Sequence, residues 1–253
     1  MRLSITMTNS FSSAEEAALF LRSKGWGVYP PDQYINDLDS LFMEFWGKAE
    51  PYSMISIERA WDFARAVRHI SKKRIEGDIV ECGVWKGGAC LLASDILSEC
   101  EPGTSRNIWL YDTFSGMNKP TGSDKIILTG EKISDRNPEG WWAAGKNEVL
   151  NTLKLSNLDI DHFILVEGPV EETLYKNIPD KISVLRLDTD WYESTKAELE
   201  VLFPKLSAGG FLLIDDYGHF SGSKKAVDEY FEKSGIIPYL HRSDYTGRVY
   251  IKD

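Results

Sequence analysis

Two aspartate clusters carry the clearest chemical signal in this sequence. Leu187-Asp188-Thr189-Asp190-Trp191-Tyr192 closes one apolar run, and Ile214-Asp215-Asp216-Tyr217 closes the next, after a turn read at Ala208-Gly209-Gly210. Carboxylates brought together repel one another unless a cation lies between them. Oxygen donors of this kind suit a hard ion, with Mg²⁺ retaining open coordination positions as the natural choice. The competing reading is that these acids cap helices or decorate the surface.

A second constellation is the stretch from Asp78 through Glu81, Gly83, Val84, Trp85, Gly87 and Gly88, an apolar run entering a Gly-rich turn and then an Ala/Leu-rich segment. Glycines there let a ligand approach the backbone, or serve only the tight packing of a strand-to-helix turn. The spacing is E-x-G-x-x-x-G, which departs from the G-x-G-x-x-G of dinucleotide binders, and the acid ending the run fits a cation better than a phosphate. Asp112, followed by Thr113 at the end of Ile108-Trp109-Leu110-Tyr111, is placed to accept both hydroxyls of a ribose, although capping the following loop is the more ordinary role of an Asp there. Glu167 and Gly168 follow a third apolar run and are placed to flank an adenine, although Gly-Pro is also ordinary turn chemistry.

The elements that must position these residues alternate. Short β-rich runs at Asp78 to Cys82, Ile108 to Tyr111, Phe163 to Val166, Val184 to Leu187 and Phe211 to Ile214 are separated by helical stretches, which predicts an α/β fold with a mostly parallel sheet covered on both faces. Tyr239 to His241 and Arg248 to Ile251, joined through Ser243, Asp244 and Gly247, predict an antiparallel terminal hairpin. Before Gly77 the chain reads as helical. Ser13 with Glu16 forms a capping box before a run that stops at Gly25, and further helices are expected over Ile35 to Trp46 and Ser56 to Ile70. Pro30, Pro31 and Pro51 break these pieces apart. The expectation is a single domain, 1–253, with a helical N-terminal cap over 1–76 and an α/β core over 77–253. A Gly/Pro/Ser/Thr/Asp-rich segment, 113–142, is long enough for a lid or binding loop.

The segments GDIVECGVWKGG, LYDTFSGM, LRLDTDWYEST and AGGFLLIDDYGHF together resemble the macrocin O-methyltransferase (TylF-type) family of class I methyltransferases, from about Tyr52 to the region of Tyr230. The resemblance implies a Rossmann-like fold of seven strands with S-adenosylmethionine and Mg²⁺ as cofactors. It implies that Glu81, Gly83 and Gly87 line the methionine half of the cofactor, and that Asp112 holds the ribose. Val84, Trp85, Gly88, Thr113, Glu167 and Gly168 complete the implied cofactor set. Asp188, Asp215 and Asp216 would bind the metal, with Asp188 also the general base, and Tyr52 resembles a tyrosine placed near the cofactor. The implied reaction is methyl transfer to a hydroxyl of a sugar or polyol unit in a small hydroxylated or glycosylated natural product.

Other features narrow the class without deciding it. A formal charge of −10 argues against nucleic-acid binding, which needs a locally dominant Lys/Arg surface, and suits a sulfonium or a divalent ion. No apolar run approaches the ~20 residues of a membrane span, and Met1 to Ser13 lacks the order of a secretory signal, so a soluble cytoplasmic protein without membrane partners is expected. The spacing of Cys82, Cys90 and Cys100 matches neither a metal clamp nor a disulfide framework. His219 is an alternative base, with a surface role the more ordinary reading, and Trp141, Trp142 and Trp191 read as packing aromatics. The helical N-terminus and many aromatics permit a homodimer. The rival functions are a nicotinamide-dependent oxidoreductase, against which the missing G-x-G-x-x-G counts, and a non-catalytic ligand-binding protein of the same fold.

Overall fold

The computed structural model describes residues 11–28, 37–136 and 138–253, so the start of the helix expected from Ile35, with Pro30 and Pro31, lies outside the described residues. The chain divides into two compact units, 1–39 and 40–253. In the first, helix α1 (Ala14–Ser23) is capped by Ser13, whose hydroxyl accepts from the Glu16 amide. The carboxylate of Glu16 reaches back to Ser12 instead of Ser13, a box displaced by one residue.

The second unit opens with α2 (Ser40–Ala49) and a 3₁₀ turn over Glu50–Tyr52. Helix α3 (Ile57–Lys73) begins where the Ser56 hydroxyl accepts from the Arg59 amide, carries Glu58 in its first turn and Lys72 and Lys73 in its last, and ends at Arg74 in the left-handed region. Its buried stripe, Ala60, Phe63, Ala64, Val67 and Ile70, recurs at helical spacing.

Seven strands follow: β1 (Asp78–Cys82), β2 (Ile108–Asp112), β3 (Phe163–Glu167), β4 (Ile182–Leu187), β5 (Leu206–Ile214), β6 (His241–Arg242) and β7 (Arg248–Ile251). Their order is β3-β2-β1-β4-β5-β7-β6, parallel from β3 to β5 and antiparallel where β7 joins β5 and β6. Helices α4 (Gly88–Cys100), α5 (Lys146–Leu153), α6 (Val170–Thr173), α7 (Tyr192–Leu202) and α8 (Ser221–Ser234) occupy the connections. Every residue of β4 is buried, as expected of a central parallel strand covered on both faces. The chain moves outward from β1 to β3 and then returns to β4, so β1 and β4 flank the switch point, the place where open α/β sheets hold their ligands.

Within the sheet, two details differ from the sequence expectation. Ala208-Gly209-Gly210 lies inside β5 and is not a turn: the register jumps from Ile182 against Leu206 to Val184 against Phe211, and the bulge is held by hydrogen bonds with Lys252 at the C-terminal edge. The hairpin strand expected at Tyr239 to His241 is instead His241–Arg242, and Tyr239 is 84% exposed.

The 113–142 segment is built into the fold at several points. Lys125 bridges Lys132, Ile126 bridges Phe220, and Ile126, Ile133, Trp191 and Phe220 form a small apolar cluster with Met117 packed against it. Asp124 is buried and accepts from the Thr121 hydroxyl at 2.8 Å and from the Tyr192 amide at 2.8 Å, tying the segment to the start of α7. Gly222 makes this approach possible, because a Cβ there would overlap Asp124 Oδ1. Gly222→Ala is therefore expected to cost about 2 kcal/mol by overpacking and to lower Tm by about 4–8 °C, measurable by calorimetric unfolding.

Candidate functional site

The carboxyl ends of the parallel strands open into a cavity of about 310 Å³, within the range of small-ligand sites. The sheet order arranges its walls. Gly168 follows β3, Asp112 ends β2, Gly83 follows β1, Asp188 follows β4, and Asp215 and Asp216 follow β5. All six residues line the cavity, with Trp85 and Thr113 beside them.

Gly83 makes the turn tight. At φ +81° it sits in the left-handed region, and a Cβ would overlap the Asp188 carbonyl oxygen, so the turns after β1 and β4 touch backbone to backbone. Asp112 is anchored by the same turn: its Oδ2 accepts from the Val84 amide at 2.8 Å and the Trp85 amide at 3.3 Å, and its Oδ1 from the Phe114 amide at 2.8 Å. These bonds hold the carboxylate in place at the cavity wall.

Registry explains how the two aspartate clusters meet. Leu187 pairs with Ile214, so the next residues, Asp188 and Asp215, leave adjacent strands side by side. Asp188, Asp215 and Asp216 each offer an oxygen, and these atoms lie within 4.8 Å of one another. Enclosure pushes the Asp188 carboxyl well above its ordinary range, against the pull of Arg186, and raises Asp216 too, with Asp190, Asp188 and Asp215 adding to the effect. Crowded carboxylates of this kind are the donor set a hard divalent cation needs, so the residues fit Mg²⁺.

Asp190 is a further member of the wall. Its backbone is left-handed, φ +66°, and burial raises its carboxyl to about 7 while a hydrogen bond with Asp216 opposes the shift. Such strain in an Asp concentrates at functional sites.

Two arginines absent from the sequence reading organise these acids. Arg186, 2% exposed inside β4, pairs with Glu81, with Asp188 at 2.9 Å and with Asp215 at 2.6 Å. Arg59, from the first turn of α3, pairs with Asp215 and, through Nε at 3.0 Å, with Asp244. Four carboxylates thus share two guanidiniums. That deficit, before Asp190 and Asp216 are counted, leaves room for added positive charge. A charged residue inside the otherwise uncharged run Ile182-Ser183-Val184-Leu185-Arg186-Leu187 was the available signal for Arg186.

Other expected residues sit elsewhere. Glu81 is 1% exposed, bonded to Arg186 and to the Cys90 thiol at 2.7 Å, and its carboxyl is raised by burial despite the arginine. It supports the wall from behind and does not line the cavity. Val84, Gly87, Gly88 and Glu167 also lie off the lining. Gly87 is the left-handed N-cap of α4, a Cβ on Gly88 would meet the backbone of Tyr52, and Glu167 pairs with Lys146 at 3.4 Å. Tyr52 ends the 3₁₀ turn and touches Gly88, while Met54 and Ile55, just beyond it, reach the cavity.

The outer wall is aromatic and apolar. Met117, Trp142, Trp191, Phe220 and Tyr245 line it with His219, whose imidazole is held below its ordinary pKa by burial and bonds the Tyr245 hydroxyl at 3.2 Å. Trp191 is 3% exposed and donates to the Asn118 carbonyl, whereas Trp141 does not line the cavity.

Comparison with known proteins agrees with this architecture. The macrocin O-methyltransferase (TylF) family matches residues 45–252. Demethyldecarbamoylnovobiocin O-methyltransferase of Streptomyces niveus is 33% identical over 79% of this chain and 75% of that protein. An 8-demethyl-8-(2,3-dimethoxy-alpha-L-rhamnosyl)-tetracenomycin-C 4'-O-methyltransferase of Streptomyces olivaceus is 32% identical over 78% of this chain and 74% of that one. Among solved structures, the O-methyltransferase NovP superposes with a TM-score of 0.69 at 31% identity, covering 79% of this chain and 82% of that chain. The calicheamicin methyltransferase CalS11, at TM-score 0.63 and 20% identity over 96% and 94% of the two chains, shares the fold. The family match over residues 45–252, a span that holds the sheet and both aspartate clusters, together with these relatives establishes that the chain belongs to the macrocin O-methyltransferase (TylF) family and is an S-adenosylmethionine-dependent O-methyltransferase.

Proposed function

We propose that this enzyme uses Mg²⁺ and methylates a hydroxyl of a sugar or related polyol unit within a small natural product. The observation that carries the reading is the convergence, in one cavity, of Asp112 at the end of β2 with Asp188, Asp215 and Asp216 at the ends of β4 and β5. The acceptors named for two relatives are demethyldecarbamoylnovobiocin and a rhamnosyl-tetracenomycin C, and the rhamnosyl group of the second supports a glycosylated acceptor. No helix among the described residues is long and apolar enough to cross a membrane.

The chain's tasks follow from the wall it presents. Asp112 accepts the ribose hydroxyls, and Gly168 and Val170 leave a slot for the adenine. The Gly83 turn allows the methionine half to lie against backbone. Asp188, Asp215 and Asp216 would hold the ion, which would supply Lewis acidity to make the acceptor hydroxyl more acidic. The acceptor oxygen attacks the methyl carbon as the carbon–sulfur bond breaks, and its proton passes to a carboxylate, leaving S-adenosylhomocysteine. Asp188 is the base in this reading. Asp190 is a second candidate, favoured by its place on the cavity wall and a carboxyl raised to about 7. The apolar outer wall receives the body of the acceptor outside the polar floor.

Calorimetry with S-adenosylmethionine and S-adenosylhomocysteine, with and without Mg²⁺, followed by screening glycosylated metabolites for a methyl increment in mass, tests the proposal. Chelation by EDTA is expected to reduce turnover to background and Mg²⁺ to restore it. Full activity after exhaustive chelation would remove the metal from the proposal.

A further inference from the structure

Charge balance in the cavity points to a role for Arg59 beyond holding Asp215. Asp112, Asp188, Asp190, Asp215 and Asp216 line the wall, and among the described residues Arg59 is the only lysine or arginine that does. The cofactor brings two positive groups, the sulfonium and the ammonium, and one negative group, the α-carboxylate of its methionine half. Acids are abundant for the first two. A carboxylate placed among five aspartates needs a cation or it is repelled.

The sheet order says where that carboxylate falls. With adenine beside Gly168 after β3 and ribose on Asp112 at β2, the chain of the cofactor runs along the edge toward β1 and β4, with strands spaced about 4.8 Å apart. Its far end therefore approaches the region between the Gly83 turn and the first turn of α3, where Met54, Ile55 and Arg59 form the wall.

Arg59 has capacity left for this contact. Its Nη1 is directed to Asp215 and its Nε to Asp244, while Nη2 makes no hydrogen bond among the described residues. The group is held from behind, since the Ser56 hydroxyl also bonds Asp244 at 2.8 Å and Gly247 packs directly on the Arg59 stem. A guanidinium fixed on two sides and open on the third is suited to a carboxylate, which it pairs in a planar fork.

We infer that Arg59 receives the α-carboxylate of S-adenosylmethionine, linking the amino-acid end of the cofactor to the metal-binding acid Asp215. This rests on the methyltransferase reading of the same cavity. One side chain then senses both parts of the site, since it touches a metal carboxylate on one side and the cofactor on the other.

The test compares S-adenosylhomocysteine with its decarboxylated analogue, 5'-(3-aminopropylthio)adenosine, by calorimetry on the full chain in EDTA, so that neither turnover nor metal enters. Wild type is expected to prefer S-adenosylhomocysteine by about tenfold or more, the worth of a charge-assisted pair. In Arg59→Met that preference should collapse to about twofold, with binding of the decarboxylated analogue nearly unchanged and so reporting an intact fold. Retention of the wild-type preference, or an equal loss for both ligands, would overturn the assignment, the latter by making Arg59 a support for Asp215 and Asp244 only. If Arg59→Met does not fold, Arg59→Gln, which keeps a donor toward Asp244, decides by the same ratio. Failure of wild type to bind S-adenosylhomocysteine would count instead against the cofactor reading itself.

Discussion

Asp188→Asn is expected to lower methyl transfer by about a thousandfold while leaving the Kd for S-adenosylhomocysteine within about threefold of wild type. The change removes one anionic oxygen from the set that Asp215 and Asp216 complete, and with it a candidate base, and each of these functions is worth orders of magnitude in rate. The proposed adenosine half of the cavity lies farther along the edge, Asp112 two strands away and Gly168 three, and Asp112 keeps its bonds. Titration of Mg²⁺ into the same variant separates the two functions. Weakened metal binding together with lost turnover assigns Asp188 to the ion, and Asp190→Asn with normal Mg²⁺ affinity but low kcat would place the proton on Asp190. Turnover of Asp188→Asn near the wild-type rate would exclude both roles for Asp188.

The second large effect concerns stability. Arg186→Met should destabilise the fold by about 3–5 kcal/mol, lowering Tm by about 6–20 °C, because Glu81 is left charged or forcibly neutral in the core with only the Cys90 thiol beside it. Asp215 keeps Arg59 and suffers less. Adding Glu81→Gln to Arg186→Met removes the uncompensated carboxyl and should recover about half of the loss, a coupling that a double-mutant cycle reads directly. A single variant that melts within about 2 °C of wild type would show that the buried network contributes little. Burial alone would lower the pKa of the Arg186 guanidinium, yet Asp188, Asp215 and Glu81 together raise it well above its ordinary value. The arginine therefore stays charged, and its removal is an electrostatic event as well as a loss of packing.

This network also explains why a crowd of acids is tolerated at the sheet edge. Glu81 on β1, Arg186 on β4 and Asp215 after β5 form a row across three neighbouring strands, tied at its end to α3 by Arg59. The row braces Asp188 and Asp215, two of the carboxylates proposed for the ion, from below, while Asp188, Asp215 and Asp216 all line the cavity. Rigid support of this kind keeps oxygen ligands preorganised.

What the sequence by itself determined was the order and the ends of the central strands. Period and turn chemistry suffice for such runs: β1 is matched residue for residue, and Asp112, Asp188 and Asp215 stand at or just after strand ends as their place beyond an apolar run requires. Parallel alternation then brings the acids to one edge without further information. Three matters were decided only in three dimensions. The Ala208-Gly209-Gly210 bulge depends on pairing with Lys252, more than forty residues away in the chain, so local turn propensity misread it. The anchoring of the 113–142 segment depends on Asp124 meeting Gly222 and the start of α7. Arg59 and Arg186 acquire their meaning from partners on other elements, since a lone arginine in a helix turn or a strand carries no local mark of the carboxylate it will neutralise. Local sequence determines where acids can gather at a sheet edge, and long-range packing alone decides which cations stand against them.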